Sequence, residues 1–183
     1  MPQLSADNRS RLIDALGEAR RIGMLGARPI DEVIDHSLGF VEALPSEVRT
    51  VIDLGSGGGD PGLVIAVARP DLQVTLVDRR AKRTDFLARM VGRLNLGDRV
   101  EVWEADVADL PQRHPDQRWD AVTCRGFGSP DYTLRLAAPL VVPGGFVLVS
   151  EPPNSDGSRW SRVEDVGISL RSVIAGIAVL HRA

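Results

Sequence analysis

The sequence predicts an α/β fold: a doubly wound, mostly parallel sheet of seven strands, Rossmann-like, preceded by an N-terminal helical cap. From residue 50 onward, short apolar runs alternate with segments of helical periodicity. The runs are almost continuously apolar, which is typical of strands covered by helices on both faces. A glycine-rich turn, within VIDLGSGGGDPG at 51–62, joins the first run to the helix that follows.

Two helices are predicted before the first strand, over 5–21 and 31–44. In the first, apolar residues such as Leu12 and Leu16 recur at helical spacing. Pro45 ends the second helix.

Strands and helices alternate through the rest of the chain. The predicted strands are TVIDL (50–54), QVTLVD (73–78), VEVWEAD (100–106), WDAVTC (119–124) and FVLVSE (146–151). The predicted helices are PGLVIAVAR (61–69), AKRTDFLARMVGRLNL (81–96) and DYTLRLAAPLV (131–141). Two last runs, VGISLRSV (166–173) and IAVLHR (177–182), are predicted to form an antiparallel pair at the sheet edge.

Length and composition predict a single domain, 1–183, with the cap at 1–46 and the Rossmann-like core at 47–183. No apolar run reaches the roughly 20 residues that cross a bilayer, and the N-terminus lacks the apolar core of a signal peptide. The single cysteine, Cys124, excludes an internal disulfide and a cysteine-rich zinc site. We therefore expect a cytoplasmic monomer with no membrane association and no metal.

The charge is uneven along the chain. The net charge is −3, which by itself does not favour a nucleic-acid partner. Lys82 is the only lysine among 22 basic residues, and arginines cluster around it at Arg79, Arg80 and Arg83. Such a run is either a solvated helix face or part of a basic surface around a cofactor site, and the second would favour RNA.

Glycines and one acid predict a nucleoside-containing cofactor. Gly57, Gly59 and Gly62 satisfy G-x-G-x-x-G, and Asp78 ends the next strand, where an acid can bind both hydroxyls of a ribose. This pattern alone fits a dinucleotide as well as S-adenosyl-L-methionine.

Three features favour S-adenosyl-L-methionine. Asp53 precedes the turn and can order it and, through water, hold the cofactor's amino group. Asp106 ends the third strand and can accept a hydrogen bond from the adenine amino group. The chain also lacks room for a dehydrogenase's separate substrate domain. For two of these acids an alternative to cofactor binding stays open. In that alternative, Asp78 instead caps the following helix, and Asp106 only shapes a turn.

Three blocks of sequence resemble the glucose-inhibited division protein B family, whose members are class I S-adenosyl-L-methionine-dependent methyltransferases acting on guanine N7 of 16S ribosomal RNA. The blocks are DLGSGGGDPGLVIAVARPDLQVTLVDRRAKRTDFL (53–87), TCRGFGSP (123–130) and IDHSLGFVEALP (34–45). The resemblance implies methyl transfer to 16S ribosomal RNA or the small ribosomal subunit.

The resemblance also implies roles for individual residues. It implies cofactor contact at Gly55 and Asp60, backbone contact to adenine at Val107 and Ala108, and a catalytic role for Arg125. With the residues above, the predicted cofactor-binding set is Asp53, Gly55, Ser56, Gly57, Gly59, Asp60, Asp78, Arg79, Asp106, Val107, Ala108 and Arg125.

Departures from the family pattern lie on the substrate side. Ser150 and Glu151 stand where the family has a lysine after the fifth strand, and Gly126 replaces an alanine. The segment GMLGARPI precedes the His36 helix in place of the family's Asn-Leu-Thr. His36 is itself more typical of a packed core residue than of a catalytic one.

Methyl transfer from a sulfonium mainly requires positioning of the two partners. Guanine N7 carries a free lone pair, so no general base is required. Cys124 at a buried strand end is more typical of packing than of catalysis. Arg125 holds a phosphate or the guanine edge, or else forms a salt bridge to Asp106 or Glu104. A small-molecule methyltransferase and a non-catalytic cofactor-binding protein remain alternative functions.

Overall fold

In a computed structural model the chain forms one seven-stranded sheet flanked by helices, with residues 4–162 and 166–183 described. The predicted domain 1–183 thus includes positions 1–3 and 163–165, which lie outside the described residues. The helices are α1 (Ala6–Arg21), α2 (Ile30–Ala43), α3 (Gly62–Ala68), α4 (Ala81–Arg93), α5 (Leu110–Arg113) and α6 (Pro130–Ala137). The strands are β1 (Thr50–Leu54), β2 (Gln73–Asp78), β3 (Val100–Glu104), β4 (Trp119–Cys124), β5 (Val141–Ser150), β6 (Ile168–Ile174) and β7 (Ile177–Arg182).

The strand order is β3-β2-β1-β4-β5-β7-β6. The first five strands are mutually parallel, and β7 runs antiparallel to both β5 and β6. The predicted fold class is therefore confirmed, including the antiparallel pair at the sheet edge.

Helices cover both faces of the sheet, so successive residues of one strand pack in two different apolar clusters. Val51 of β1 packs in one apolar cluster with residues of α1 to α4, whereas its neighbour Ile52 packs in a second cluster with residues of α6. Ala121 and Val122 of β4 divide in the same way. This alternation explains the continuous apolar runs in the sequence.

The predicted start of the fifth strand was wrong. A helix is predicted over 131–141 and a strand over 146–151, yet α6 ends at Ala137 and β5 already begins at Val141, which pairs with Trp119. The register then shifts, and Phe146 pairs with Ala121. Extra residues opposite one strand form a bulge, which can accommodate proline and glycine that regular pairing disfavours.

Smaller differences concern helix ends and connections. The helix predicted over 81–96 ends at Arg93, and Asn95 has a positive φ of 57°. The polar connection before β4 contains the short helix α5, and the loop after β5 contains a 3-10 turn at Ser158–Arg162. Among the described helices, none combines the length and apolar character needed to cross a membrane.

Candidate active site

A cavity of about 280 Å³ opens at the carboxyl edge of the sheet, beyond β1, β2, β3 and β4. The strand order reverses between β1 and β4, and ligands of open α/β sheets bind at such switch points. The lining residues come from the end of β2 and from the segments after these four strands. They are Gly55, Asp78, Arg79, Arg80, Arg83, Ala105, Asp106, Val107, Arg125, Gly126, Phe127 and Tyr132.

The turn after β1 is closely packed on two sides of its backbone. Gly55, Gly57 and Gly59 have φ values of 69°, 54° and 97°, in the left-handed region that favours glycine. A Cβ on Gly55 would lie 3.2 Å from the Phe127 ring. A Cβ on Gly58 would lie 2.8 Å from Leu25, in the segment between α1 and α2. Side chains at either position would therefore push the turn away from its neighbours.

Ser56 fastens this turn to β2. Its Oγ donates to the Asp53 carbonyl at 2.9 Å and accepts from the Val77 N–H at 3.1 Å. Its own N–H donates to the Val77 carbonyl at 2.9 Å. These contacts are internal to the protein, so a cofactor contact at Ser56 stays a prediction.

Asp53 lies buried beneath the turn, and its Oδ1 accepts a hydrogen bond from Thr123 Oγ1 at 2.8 Å. Its Oδ2 has no hydrogen-bond partner among the described residues. Burial raises the pKa of this carboxyl to about 6, although the Thr123 hydrogen bond opposes the shift. A buried oxygen without a partner fits a cationic amino group held nearby through water, the role that the sequence predicts.

Asp78 is buried and lines the cavity at the end of β2. Its Oδ2 accepts from the Gly57 N–H at 3.1 Å and lies 3.2 Å from Arg83 Nη1. Its Oδ1 accepts from the N–H of Arg80 at 3.0 Å, at the start of α4. Asp78 therefore supports both the turn and the helix, while it also faces the space where a ribose is expected.

Asp106 follows β3 and shapes the chain around the third side of the cavity. Its Oδ1 accepts from the Ala108 N–H at 3.0 Å, which starts a 3-10 turn at Val107–Asp109. Its Oδ2 lies 3.9 Å from Arg79 Nη1. Asp106 thus forms the turn that the sequence left open, and it lines the cavity as well.

Arg125 lines the cavity from the loop after β4 and is half-buried. Its Nη1 forms an ion pair with Asp60 of the glycine-rich turn. Asp60 Oδ1 accepts a 2.6 Å hydrogen bond from Ser37 of α2. The alternative of a salt bridge to Asp106 or Glu104 was therefore wrong about the partner, because the fold brings the turn after β1 against the loop after β4.

Two further residues that were considered for catalysis are packed in the fold. His36 of α2 makes an edge-on contact with Phe40, and burial together with the charges of Arg125 and Arg28 lowers its pKa. Cys124 is fully buried, and burial raises the pKa of its thiol. A protonated thiol is a poor nucleophile, so Cys124 is a packing residue.

The rim of the cavity is cationic despite the acidic net charge. Four arginines line it against two acids, and the Arg79 side chain is 69% exposed. Guanidinium groups bind phosphate through planar, bidentate hydrogen bonds. The rim is therefore suited to an anionic ligand.

An aromatic pair completes the mouth of the cavity. The rings of Phe127 and Tyr132 are stacked with centroids 6.0 Å apart, and Tyr132 is 52% exposed. An exposed ring beside guanidinium groups is suited to stacking on an unpaired base.

Glu151 anchors the loop after β5. It is buried at the strand end and accepts hydrogen bonds from Trp160 Nε1 at 2.7 Å and Arg159 Nε at 2.9 Å, and also from the Ser155 hydroxyl. The acid that replaces the family's lysine therefore holds its own loop together.

Half of the twelve predicted site residues line the cavity, and the other half do not. The lining ones are Gly55, Asp78, Arg79, Asp106, Val107 and Arg125; the others are Asp53, Ser56, Gly57, Gly59, Asp60 and Ala108. The lining residues that were not assigned are Arg80, Arg83, Ala105, Gly126, Phe127 and Tyr132. The basic run after β2 could have indicated Arg80 and Arg83, and the TCRGFGSP block could have indicated Phe127. No sequence pattern indicated Tyr132.

Comparisons with known proteins agree with this architecture. Residues 12–152 match the model of the GidB family, described as rRNA small subunit methyltransferase G. The chain is 43% identical over 129 residues to ribosomal RNA small subunit methyltransferase G of Nocardioides sp., covering 69% of this chain and 50% of the relative. It is 36% identical over 146 residues to that of Thermobifida fusca, covering 78% and 59%. The chain thus spans about half to three fifths of the length of these relatives.

Solved structures show the same fold at low identity. An O-methyltransferase from Bacillus cereus, solved in complex with SAH, superposes with a TM-score of 0.66 at 16% identity, covering 95% of this chain and 91% of that one. TrmN from Thermus thermophilus superposes with a TM-score of 0.63 at 20% identity, covering 93% and 53%.

Proposed function

We propose a function for this chain from its family, because it belongs to the rRNA small subunit methyltransferase G (GidB) family. The proposed reaction transfers the methyl group of S-adenosyl-L-methionine to N7 of a guanine in 16S ribosomal RNA. The family resemblance seen in the sequence is confirmed. The activity, its acceptor and a cytoplasmic site of action are proposals that depend on the chemistry of the cavity.

One observation carries the proposal: the cavity combines acids for a nucleoside with arginines for a polyanion. Asp78 and Asp106 line it at the ends of neighbouring parallel strands, and the glycine-rich turn borders it at Gly55. Two carboxylates beyond adjacent strands at this edge of the sheet suit the ribose hydroxyls and the adenine amino group. The four lining arginines suit phosphates of the acceptor.

This chain's residues would position rather than activate the reactants. S-adenosyl-L-methionine, when bound, supplies a methyl group already activated on sulfur. Asp78 would hold the ribose, Asp106 and Val107 the adenine, and Asp53 the amino group beneath the turn. Arg125, at the rim, would hold the guanine edge or its phosphate with a planar guanidinium. Guanine N7 has a free lone pair, so the site needs no base, consistent with the protonated Cys124.

The direct test is transfer of tritium from labelled S-adenosyl-L-methionine to small ribosomal subunits or to deproteinised 16S RNA lacking this modification. We expect label in the RNA, recovered as 7-methylguanosine after nuclease digestion. Asp71→Asn is a suitable control, because Asp71 pairs with Arg69 at 2.7 Å outside the lining of the cavity. No label in any RNA would exclude the acceptor, and calorimetric binding of NAD in place of S-adenosyl-L-methionine would exclude the cofactor.

Methylation of a small molecule is the second candidate. It is favoured by the acidic net charge and by Glu151, which buries an acid at the strand end where the resemblance leads one to expect lysine. An RNA acceptor predicts affinity that falls steeply with salt, whereas a small neutral acceptor predicts little salt dependence.

A further inference from the structure

We propose that Asp60 is a positioning residue for Arg125, and that it joins the guanidinium at the cavity rim to helix α2 through Ser37. This inference depends on the proposed function for its kinetic consequence. The arrangement itself depends only on contacts among described residues of three elements: the loop after β4, the glycine-rich turn and α2.

The Asp60 side chain is 1% exposed, so its charge must be balanced inside the protein. Arg125 supplies that balance through an ion pair between Nη1 and the Asp60 carboxylate. A buried carboxylate that loses its partner is strongly unfavourable. The same energetics hold Arg125 in place, since a guanidinium that left Asp60 would strand the buried charge.

Ser37 fixes the other side of the carboxylate. Its Oγ lies 2.6 Å from Asp60 Oδ1 and 2.8 Å from the carbonyl of Val33 one helical turn earlier. A hydroxyl has one hydrogen to donate, and an ionised carboxylate is a stronger acceptor than a peptide carbonyl. Ser37 therefore donates to Asp60, and the carboxylate is held between a helix and a guanidinium.

Neighbouring positive charge makes this anchor more important. Arg28 acts on Arg125 as a like charge. Without Asp60, Arg125 would face Arg28 with less compensation and would turn toward solvent. With one nitrogen engaged by Asp60, a guanidinium keeps further N–H donors for an acceptor group in the cavity.

The test compares Asp60→Asn, Ser37→Ala and Arg125→Ala with the wild type. Asp35→Asn is the matched control, because Asp35 lies on α2 near Ser37 but is exposed and pairs with Arg9 at 2.9 Å. We expect Asp60→Asn to lower kcat/KM for RNA by about 10-fold to 100-fold, the effect of one lost charge-assisted hydrogen bond. The dissociation constant for S-adenosyl-L-methionine should stay within about twofold of wild type, because the Asp60 side chain does not line the cavity.

A double-mutant cycle on kcat/KM separates a positioning role of Asp60 from a merely structural one. The double variant Asp60→Asn/Arg125→Ala should be no slower than Arg125→Ala alone, because Arg125→Ala already removes the ion pair. Ser37→Ala should give a smaller loss in the same direction. Additive losses in the double variant would overturn the proposal, as would an Asp60→Asn enzyme with wild-type kcat/KM.

A second readout does not require activity. Nitrogen-15 NMR of the Arg125 guanidinium should show slow hydrogen exchange in the wild type and in Asp35→Asn, and fast exchange in Asp60→Asn. Equal exchange in wild type and Asp60→Asn would refute the positioning role. If the wild type methylates no RNA while this exchange difference is present, the proposed function fails and the anchor of Arg125 stands.

Discussion

The buried carboxyl of Asp53 is predicted to make a contribution to stability that decreases as the pH rises from 5 to 7. Its pKa in the folded protein is about 6, against 3.8 for an ordinary aspartate, because burial disfavours the charged form. The folded state therefore holds this proton at pH values where the unfolded chain has released it. Stability from this group is fully present below pH 3.8 and is lost as the pH rises through 6.

The size of the effect follows from the shift. At 1.36 kcal/mol per pKa unit, a displacement from 3.8 to about 6 corresponds to about 3 kcal/mol in total. Most of the titration of the folded state lies between pH 5 and 7, and this interval accounts for about 1 kcal/mol of lost stability. Asp53→Asn removes the titrating group and should remove this part of the pH dependence.

The assay is urea unfolding followed by tryptophan fluorescence at several pH values from 5 to 7.5. The difference between wild type and Asp53→Asn isolates Asp53, because His36, whose pKa is lowered by burial, contributes with the opposite sign in both proteins. Asp71→Asn is the control: the pKa of Asp71 is about 2, so it is ionised throughout this range. Identical pH dependence in wild type and Asp53→Asn would refute the account of Asp53 as a buried, poorly solvated acid.

Three further outcomes are expected. Asp78→Asn should weaken S-adenosyl-L-methionine binding by about 10-fold or more in calorimetry, because it removes a charged acceptor; unchanged affinity would contradict the ribose role. Cys124 should react with a maleimide only as fast as the protein unfolds, since it is fully buried and its pKa is raised; rapid labelling of native protein would show an accessible thiolate. Arg79→Ala should reduce the slope of log affinity for RNA against log salt by about one, whereas an unchanged slope would place Arg79 away from phosphate.

The order of elements was predictable from sequence because each signal is local. The run TVIDL followed by GSGGGDPG specifies a strand and a tight turn within thirteen residues. The antiparallel pair at the end of the chain was predictable for the same reason, from two short runs around Ala175-Gly176.

Features that depend on residues distant in the chain were harder to predict from the sequence. The start of β5 at Val141 is set by pairing with Trp119, which no local pattern in Pro143-Gly144-Gly145 indicates. The partner of Arg125 is Asp60, 65 positions earlier, because the sheet places the loops after β1 and β4 side by side. Charge pairing across loops is a tertiary property, and spacing along the chain does not encode it.

The contact between Gly58 and Leu25 gives the N-terminal helices a role that the term cap understates. The glycine-rich turn lies so close to this segment that a Cβ on Gly58 would lie only 2.8 Å from Leu25. Ala19 and Leu25 thus support the turn from the side of the N-terminal helices, whereas the residues that line the cavity begin at Gly55. A fragment beginning at residue 47 would lose that support and, with Ser37, the hydrogen bond that holds Asp60. The boundary at residue 46 divides the chain in sequence but does not mark a place where it can be cut.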